Sequence, residues 1–219
     1  MASSPGTPTS APPKSPGYYA NERQDVVASL PRPLGRVLDV GCGAGGLAAG
    51  LRRAGALEIV GIEVVPTEAD RARQVLDHVH AARVEDALDD LAGVFDTVLC
   101  LDVLEHLVDP GEVLERLRRH AAPGATLQVS VPNARHFSLV RDLVLRGTFG
   151  YSDWGHRDST HLRWFTRRDI VALVERSGWR TRGTSVPPLR RSAALHRLTG
   201  GWSSEFLVAQ IYLTARNPG

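Results

Sequence analysis

The chain has 219 residues, of which 42% are hydrophobic, and this is enough to build one domain of ordinary size around a single core. Its formal net charge is only +2 and its basic residues are interleaved with 24 acidic ones, so we expect no nucleic-acid partner. No apolar run approaches the roughly 18 residues of a membrane span. Two cysteines are too few for a disulfide framework. We therefore expect a cytoplasmic protein without membrane contact.

The first part of the sequence differs in composition from the rest. Residues 1–17 are almost entirely Ser, Pro, Thr, Ala and Gly, which predicts a disordered tail because such a segment buries too little apolar surface to offset its ordering entropy. The ordered domain is expected to cover 18–219. Its first predicted element is a helix over 22–30, which ends before Pro31.

Strands and helices then alternate along the chain. Strands are predicted over 36–40, 58–63, 82–84, 95–101 and 126–131, and helices over 47–53, 67–80, 88–91 and from Asp109-Pro110 to before Pro123. This order predicts an α/β fold with an open, mostly parallel sheet and helices on both of its faces. Ligands of such a sheet bind beyond the carboxyl ends of its strands.

The regular alternation stops after the fifth predicted strand. Residues 134–165 are rich in His, Arg, aromatic residues and Gly without a clean period, which indicates an insertion on the substrate side of the sheet. Thr166 and Asp169 then form a capping pair for a helix that stops at Gly178. Two last strands are predicted over 179–186 and 206–215. The excursion between them, at 187–205, matches no pattern that the sequence allows us to interpret.

A glycine-rich turn follows the first predicted strand, in the sequence Val-Leu-Asp-Val-Gly-Cys-Gly-Ala-Gly-Gly at 37–46. Gly41, Gly43 and Gly46 have the spacing G-x-G-x-x-G, which on its own suits a dinucleotide as well as S-adenosylmethionine. Asp39 lies two positions before the first glycine, where a nicotinamide-binding turn usually carries an apolar residue. Its carboxylate is expected to hold the glycine loop through the amides and to face a cationic ligand, which favours S-adenosylmethionine.

Acidic residues follow the next predicted strands. Glu63 ends the second strand, where a carboxylate can accept hydrogen bonds from both hydroxyls of a ribose, and this fits either cofactor. Glu85 and Asp86 follow the third strand and are expected near an adenine amino group. The fourth strand leads to a segment expected to enclose the adenine and methionine parts, with side chains and backbone of 101–103.

Three of these segments together carry a family resemblance: the glycine turn at 37–45, Gly-Ile-Glu at 61–63, and Phe-Asp-Thr-Val-Leu-Cys-Leu-Asp-Val-Leu-Glu-His-Leu at 95–107. They resemble the class I S-adenosylmethionine-dependent methyltransferases. With the stretches 130–136 and 158–166, the chain is similar to a small bacterial branch related to ubiquinone-type O-methyltransferases and often found beside glycan or natural-product genes.

The resemblance implies a Rossmann-like sheet of seven strands with the last antiparallel, S-adenosylmethionine as methyl donor and S-adenosylhomocysteine as product. It also implies that Tyr19 and Arg23 lie over the bound cofactor. The expected cofactor-binding residues are therefore Tyr19, Arg23, Asp39, Gly41, Cys42, Gly43, Glu63, Glu85, Asp86, Leu101, Asp102 and Val103.

Methyl transfer is an in-line displacement, so the protein must mainly hold the two reactants in a near-attack geometry. For a hydroxyl acceptor a base takes the proton, and histidine has a suitable pKa. His106 follows the fourth predicted strand, and His161 lies beside Asp158 in the insertion, so these three residues are the candidate catalytic groups. Each also has a plainer interpretation, in which it packs or holds a loop. We expect no metal, although Glu105, His106 and a residue of the insertion form a conceivable ligand set.

The sequence thus predicts an S-adenosylmethionine-dependent enzyme that methylates a small molecule, most readily at oxygen, in natural-product or glycan metabolism. We expect a monomer or a homodimer. Two alternatives stay open at this point: a nicotinamide-dependent oxidoreductase, and a catalytically silent module that retains the cofactor pocket.

Overall fold

The computed structural model describes residues 23–153, 155–185 and 204–219. The predicted tail at 1–17, Tyr19 and most of the excursion at 187–205 lie outside the described residues.

In the described part of the chain, seven strands form one sheet in the order β3-β2-β1-β4-β5-β7-β6. The strands are Gly35–Val40 (β1), Ala56–Glu63 (β2), His78–Ala81 (β3), Phe95–Leu101 (β4), Ala121–Pro132 (β5), Arg180–Ser185 (β6) and Gln210–Arg216 (β7). Strands β1 to β5 pair in parallel, whereas β7 lies antiparallel between β5 and β6. The Rossmann-like sheet of seven strands with an antiparallel last strand is therefore confirmed.

Helices connect the strands and cover the sheet. They are Gln24–Ser29 (α1), Ala48–Arg53 (α2), Pro66–Ala72 (α3), Val84–Ala87 (α4), Pro110–Arg119 (α5), Phe137–Arg146 (α6), Arg167–Arg176 (α7) and Ser204–Leu207 (α8), with short 3-10 turns at Leu104–His106 and Gly155–Arg157. The sequence signals for α5 act as expected: the Asp109 side chain accepts a hydrogen bond from the backbone N–H of Glu112 at 3.0 Å, and Pro110 occupies the first turn.

The core lies on both faces of the sheet, because the side chains of each central strand alternate between them. In β4, Val98 and Cys100 pack into one apolar cluster with residues of α4, α5 and α7, while Leu99 packs into the other with residues of α1, α2 and α3. All three side chains are fully buried. The two-sided burial explains why the second half of this strand, 98–101, is a continuous apolar run.

The third strand differs from its prediction. The helix predicted over 67–80 ends at Ala72, and β3 lies at His78–Ala81 instead of 82–84. Two hydrogen bonds to β2 fix where this strand begins. The N–H of Asp77 donates to the carbonyl of Ile59 at 3.0 Å, and the N–H of Ile59 donates to the Asp77 carboxylate at 2.7 Å. The short helix predicted over 88–91 forms earlier, as α4.

Two boundaries near the end of the sheet also differ. Strand β5 begins at Ala121, five residues before its predicted start, because the preceding helix, predicted to continue up to Pro123, ends at Arg119. Strand β7 begins only at Gln210, because the preceding residues form α8.

Candidate cofactor and acceptor site

The glycine turn lies at the carboxyl ends of β1 and β2. The backbone N–H groups of Gly41 and Cys42 donate to the carbonyl of Ile62 at 2.8 and 3.1 Å. Gly41 and Gly43 both have positive φ angles, of 71° and 53°, which glycine adopts without a steric penalty. The sequence therefore folds into a turn whose backbone is bound directly to the end of the next strand.

Glu63 holds this turn. One oxygen of its buried carboxylate accepts a hydrogen bond from the N–H of Gly43 at 2.9 Å, and the other accepts from the N–H of Val65 at 2.8 Å. The amide contact that the sequence analysis assigned to Asp39 is thus made by Glu63. The reason is positional: Glu63 is at the tip of β2, level with the turn, whereas Asp39 lies within β1 and pairs with Gly61.

Asp39 is a buried carboxyl group close to a second one. Only 2% of its surface is exposed. Burial, followed by repulsion from the Glu63 carboxylate, raises the pKa of Asp39 to about 7. Among the described residues, none gives this side chain a hydrogen bond or a cation. The Asp39 carboxyl group therefore lacks a counter-charge, and a positively charged ligand at the base of the turn would favour its ionised form.

Cys42 closes the floor of the turn. Its buried side chain lies over Gly61, where an added Cβ would come within 2.6 Å of the Cys42 sulfur. Burial, with the nearby Asp39 and Glu63 carboxylates, raises the pKa of the thiol well above its ordinary value. This thiol is a packing group and a poor nucleophile at neutral pH.

The segment after β4 completes this edge of the sheet. A Cβ added to Gly41 would lie 2.5 Å from a methyl carbon of Val103, so the glycine turn packs directly against that segment. Leu101 is the last residue of β4 and is partly buried. Of the predicted cofactor residues, the structure thus brings together Asp39, Gly41, Cys42, Gly43, Glu63, Leu101 and Val103.

Arg23 and Asp102 are joined to each other at this edge. Arg23 Nη1 donates to Asp102 Oδ2 at 2.7 Å, and Arg23 Nη2 donates to the Tyr212 hydroxyl at 2.9 Å. The other Asp102 oxygen accepts hydrogen bonds from Ser130, at 3.1 Å, and from Gln210. The Asp102 carboxylate is therefore engaged in a polar network, and it is the side chain of the next residue, Val103, that contacts the glycine turn.

Glu85 and Asp86 lie in the first turn of α4, just beyond β3. Strand pairing sets Ala81 beside Glu63, so the residues that follow β3 start from the edge of the sheet that carries the glycine turn. The Glu85 carboxylate accepts a hydrogen bond from Arg83 at 3.1 Å, and Asp86 is exposed. Their contact with an adenine amino group stays a prediction.

The segment 134–165 folds back over this edge of the sheet. Its two ends meet where Asn133 forms a bridge with Phe165 and the N–H of Ala134 donates to the Phe165 carbonyl at 3.0 Å. Inside it, α6 is bound to a later turn by Arg157, which donates to the Asp142 carboxylate at 2.7 Å. Hydrogen bonds from Arg141 and Arg157 hold the pKa of Asp142 at about 2.

This folding places His161 beside His106. The two imidazole rings lie edge to face with their centroids 4.8 Å apart. The segment is anchored there because the N–H groups of Leu162 and Arg163 both donate to the Glu105 carbonyl, at 2.8 and 3.0 Å. Ligand atoms of Glu105, His106 and His161 lie within 4.8 Å of one another.

Asp158 lies in the same cluster. It is 1% exposed, and one of its oxygens accepts hydrogen bonds from the N–H and the hydroxyl of Thr160, at 2.9 and 2.7 Å. Thr160 in turn lies 3.2 Å from Nδ1 of His106, measured from its hydroxyl oxygen. The three predicted catalytic residues, separated by up to 55 positions in sequence, are thus within one connected group.

The sequence did not lead us to predict several residues of the site. Thr160 carried a usable signal, because an Asp two positions before it is the spacing of an Asx turn, in which the carboxylate accepts the later N–H. Ser130, Gln210 and Tyr212 carried none, since Ser130 and Gln210 reach Asp102, and Tyr212 reaches Arg23, only after β5 and β7 have paired.

Comparisons with known proteins show what this chain is similar to. Residues 15–182 match the model of a family described as a methyltransferase domain. The chain is similar to a ubiquinone biosynthesis O-methyltransferase of Xanthomonas oryzae pv. oryzae, at 33% identity over 151 residues, which are 62% of this chain and 60% of that protein. This chain thus spans about 60% of the length of that curated relative. A ubiquinone biosynthesis O-methyltransferase of Psychrobacter arcticus is 31% identical over 72% of this chain and 68% of its own length.

Solved structures show the same fold. An S-adenosylmethionine-dependent methyltransferase from Mesorhizobium loti superimposes with a TM-score of 0.61 at 17% identity, over 89% of this chain and 97% of that one. In the described ranges, every helix is too short or too polar to cross a membrane.

Proposed function

Because this chain belongs to the class I S-adenosylmethionine-dependent methyltransferases, we propose that it transfers a methyl group from S-adenosylmethionine to a hydroxyl group of a small molecule. The observation that carries the proposal is the cluster of His106, His161 and Asp158, next to the segment that packs on the glycine turn. Oxygen as the acceptor atom is supported by the names of the two relatives, both O-methyltransferases.

The residues at the glycine turn suit this donor. When bound, S-adenosylmethionine supplies an electrophilic methyl group on a cationic sulfonium. A cation at the turn would be stabilised by Glu63 and by Asp39 in its ionised form, which favours this donor over a dinucleotide, whose pyrophosphate is anionic. Each Glu63 oxygen accepts one backbone N–H and keeps acceptor capacity for a ribose hydroxyl.

His106 would remove the proton of the acceptor. It is half-buried in the cluster, and His161 and the buried Glu105 carboxylate lie beside it. A general base in such a position contributes about a hundredfold or more to rate. Small molecules of natural-product or glycan metabolism that carry a phenol or sugar hydroxyl are the acceptor class we propose.

The donor is tested by calorimetric titration with S-adenosylhomocysteine. We expect binding by the wild-type protein and at least about a tenfold weaker affinity in a Glu63→Ala variant, because a charge-assisted hydrogen bond is worth about 1.5–3 kcal/mol. Glu58→Ala is the matched control, since Glu58 lies on the same strand at its other end and pairs with Arg36. A wild-type protein that does not bind would contradict the proposed donor.

The acceptor is tested separately by mass spectrometry with a panel of phenols, sugars and amines. We expect products methylated at oxygen, and their loss in a His106→Gln variant that still binds S-adenosylhomocysteine. Products methylated only at nitrogen would contradict the acceptor atom. Tight cofactor binding without any product would favour the silent module.

Removal of metal ions by a chelator distinguishes a metal-binding role of the same cluster from the role of His106 as a base. If His106 acts as a base, dialysis against EDTA leaves turnover unchanged. Loss of turnover with EDTA and its recovery with Mg²⁺ would instead assign Glu105, His106 and His161 to a divalent cation.

A further inference from the structure

The hydrogen bonds between the insertion and the turn after β4 form a chain of three residues. The Asp158 carboxylate contacts the Thr160 hydroxyl at 2.7 Å, and the same hydroxyl oxygen lies 3.2 Å from Nδ1 of His106. The carbonyl oxygen of Thr160 lies 3.3 Å from the same ring nitrogen. Thr160 therefore presents two oxygen atoms to one nitrogen of His106.

Both of these oxygens require a proton on Nδ1. A carbonyl oxygen can only accept, so its contact needs an N–H on the ring. A threonine hydroxyl has a single proton, and the short contact with the buried carboxylate takes it, so its oxygen faces His106 with a lone pair. A neutral imidazole with a proton on Nδ1 has none on Nε2, which is then the basic nitrogen.

We propose that Thr160 is a positioning residue, which is held by Asp158 and fixes His106 in the tautomer with Nδ1 protonated and Nε2 basic. The role in catalysis rests on the proposed function. In that reaction the acceptor O–H bond breaks and its proton moves to Nε2, while the new O–CH₃ bond forms and the S–CH₃ bond breaks. The imidazolium that results is stabilised through Thr160 by the Asp158 carboxylate.

The Thr160 hydroxyl is not needed to hold the turn at 158–160 together, because backbone hydrogen bonds already do so. The turn at 158–160 is already closed by the N–H of Thr160, which donates to Asp158 at 2.9 Å, and by the N–H of His161, which donates to the Asp158 carbonyl at 3.1 Å. The hydroxyl adds the link to His106. A Thr160→Val variant removes that link while it keeps the backbone bonds and the side-chain shape, and Thr160→Ser retains the link.

The tautomer is measured directly by long-range ¹H–¹⁵N NMR of protein labelled at histidine, with a His106→Gln variant to assign the signals. The protein is used without cofactor, so the result does not depend on methyl transfer. We expect protonated Nδ1 in the wild type and in Thr160→Ser, and a mixture of tautomers in Thr160→Val. An Nε2-protonated wild type, or a Thr160→Val variant with an unchanged spectrum, would overturn the assignment.

Turnover of an acceptor from the panel gives the second readout. We expect kcat to fall about tenfold or more in Thr160→Val and to recover in Thr160→Ser, with the affinity for S-adenosylhomocysteine unchanged. Ser159→Ala is the matched control, because Ser159 is the exposed neighbour. Unchanged kcat in Thr160→Val would refute the positioning role. Failure of the wild type to bind S-adenosylhomocysteine would refute the proposed function and leave the tautomer assignment standing.

Discussion

Two buried carboxyl groups, Glu63 and Asp39, lie at the glycine turn. The sequence predicted that Asp39 would both bind the turn and face a cationic ligand, but it is Glu63 that binds the turn. Glu63 binds the turn through the N–H of Gly43, whereas Asp39 is buried at the base of the turn without a counter-charge among the described residues. The sequence located both residues, since a carboxylate before the first glycine and another at the next strand tip are visible in the pattern. It could not assign the amide contact, because that depends on which side chain is level with the turn in the folded sheet.

Asp39 should therefore make stability depend on pH. Its pKa is about 7 in the folded protein against an ordinary 3.8, so the folded state keeps a proton that the unfolded chain has lost. The stability it contributes is full below about pH 4 and is lost as the pH rises to about 7. Since one pKa unit corresponds to about 1.4 kcal/mol, this loss is at most about 4 kcal/mol.

An Asp39→Asn variant removes this titration. We expect its free energy of unfolding, relative to the wild type, to increase between pH 4.5 and pH 7.5 and to level off above that range. Urea denaturation at several pH values in the absence of cofactor measures the difference. Asp90→Asn, at an exposed position, controls for the removal of a charge. A difference that is constant across this range would contradict a buried Asp39 whose pKa is about 7.

At the scale of elements, the sequence predicted best those segments whose signals are local. Strand β4 was predicted with its observed bounds, and the capping signals of α5 and α7 act as predicted. The predicted position of β3 was wrong because the contacts that fix this strand are long-range, among them the hydrogen bond between Asp77 and Ile59 on β2. The residues of β3 are exposed or partly buried, and their sequence continues the apolar spacing of α3. The structure of the insertion at 134–165 could not be predicted from the sequence either, since contacts such as that between Asp142 and Arg157 form only after the segment has folded back.

The capping box of α7 provides a test at this scale. Thr166 accepts a hydrogen bond from the N–H of Asp169, and the Asp169 carboxylate accepts from the N–H of Thr166 at 3.2 Å. We expect Thr166→Ala to lower the free energy of unfolding by about 1 kcal/mol, because the N–H of Asp169 loses its acceptor and the Asp169 carboxylate loses the hydroxyl that donates to it. Urea denaturation measures it, with Thr166→Ser as the variant that retains the cap. Equal stability of the Ala variant and the wild type would show that solvent replaces the box fully.

At the scale of the molecule, one polar network joins the start of the described chain to its end. Arg23 precedes α1, Asp102 follows β4, Ser130 belongs to β5 and Tyr212 to β7, and their side chains meet at the edge of the sheet that carries the glycine turn. Arg23 and Asp102 both have positive φ angles, of 32° and 58°. Two non-glycine residues in this conformation joined by an ion pair indicate that the network sets the backbone on both sides of the site.

The strength of this link can be measured with a double-mutant cycle of Arg23→Gln and Asp102→Asn. Asparagine tolerates a left-handed backbone, so the second variant removes the charge without new strain. Because the side chains are 15% and 24% exposed, solvent screens the pair only in part, and we expect a coupling energy of about 1 kcal/mol that is smaller in high salt. Urea denaturation of the four proteins gives the value, and additive single variants would contradict the link.

The same variants separate the two roles considered for Arg23. If Arg23 acts through Asp102 alone, Arg23→Gln and Asp102→Asn weaken the binding of S-adenosylhomocysteine equally, and the double variant binds no more weakly than either. If Arg23 also lies over the bound cofactor, as the family resemblance implies, Arg23→Gln weakens binding further in the Asp102→Asn background. We expect the first result, because both terminal nitrogens of the guanidinium already donate inside the protein, Nη1 to Asp102 at 2.7 Å and Nη2 to Tyr212 at 2.9 Å.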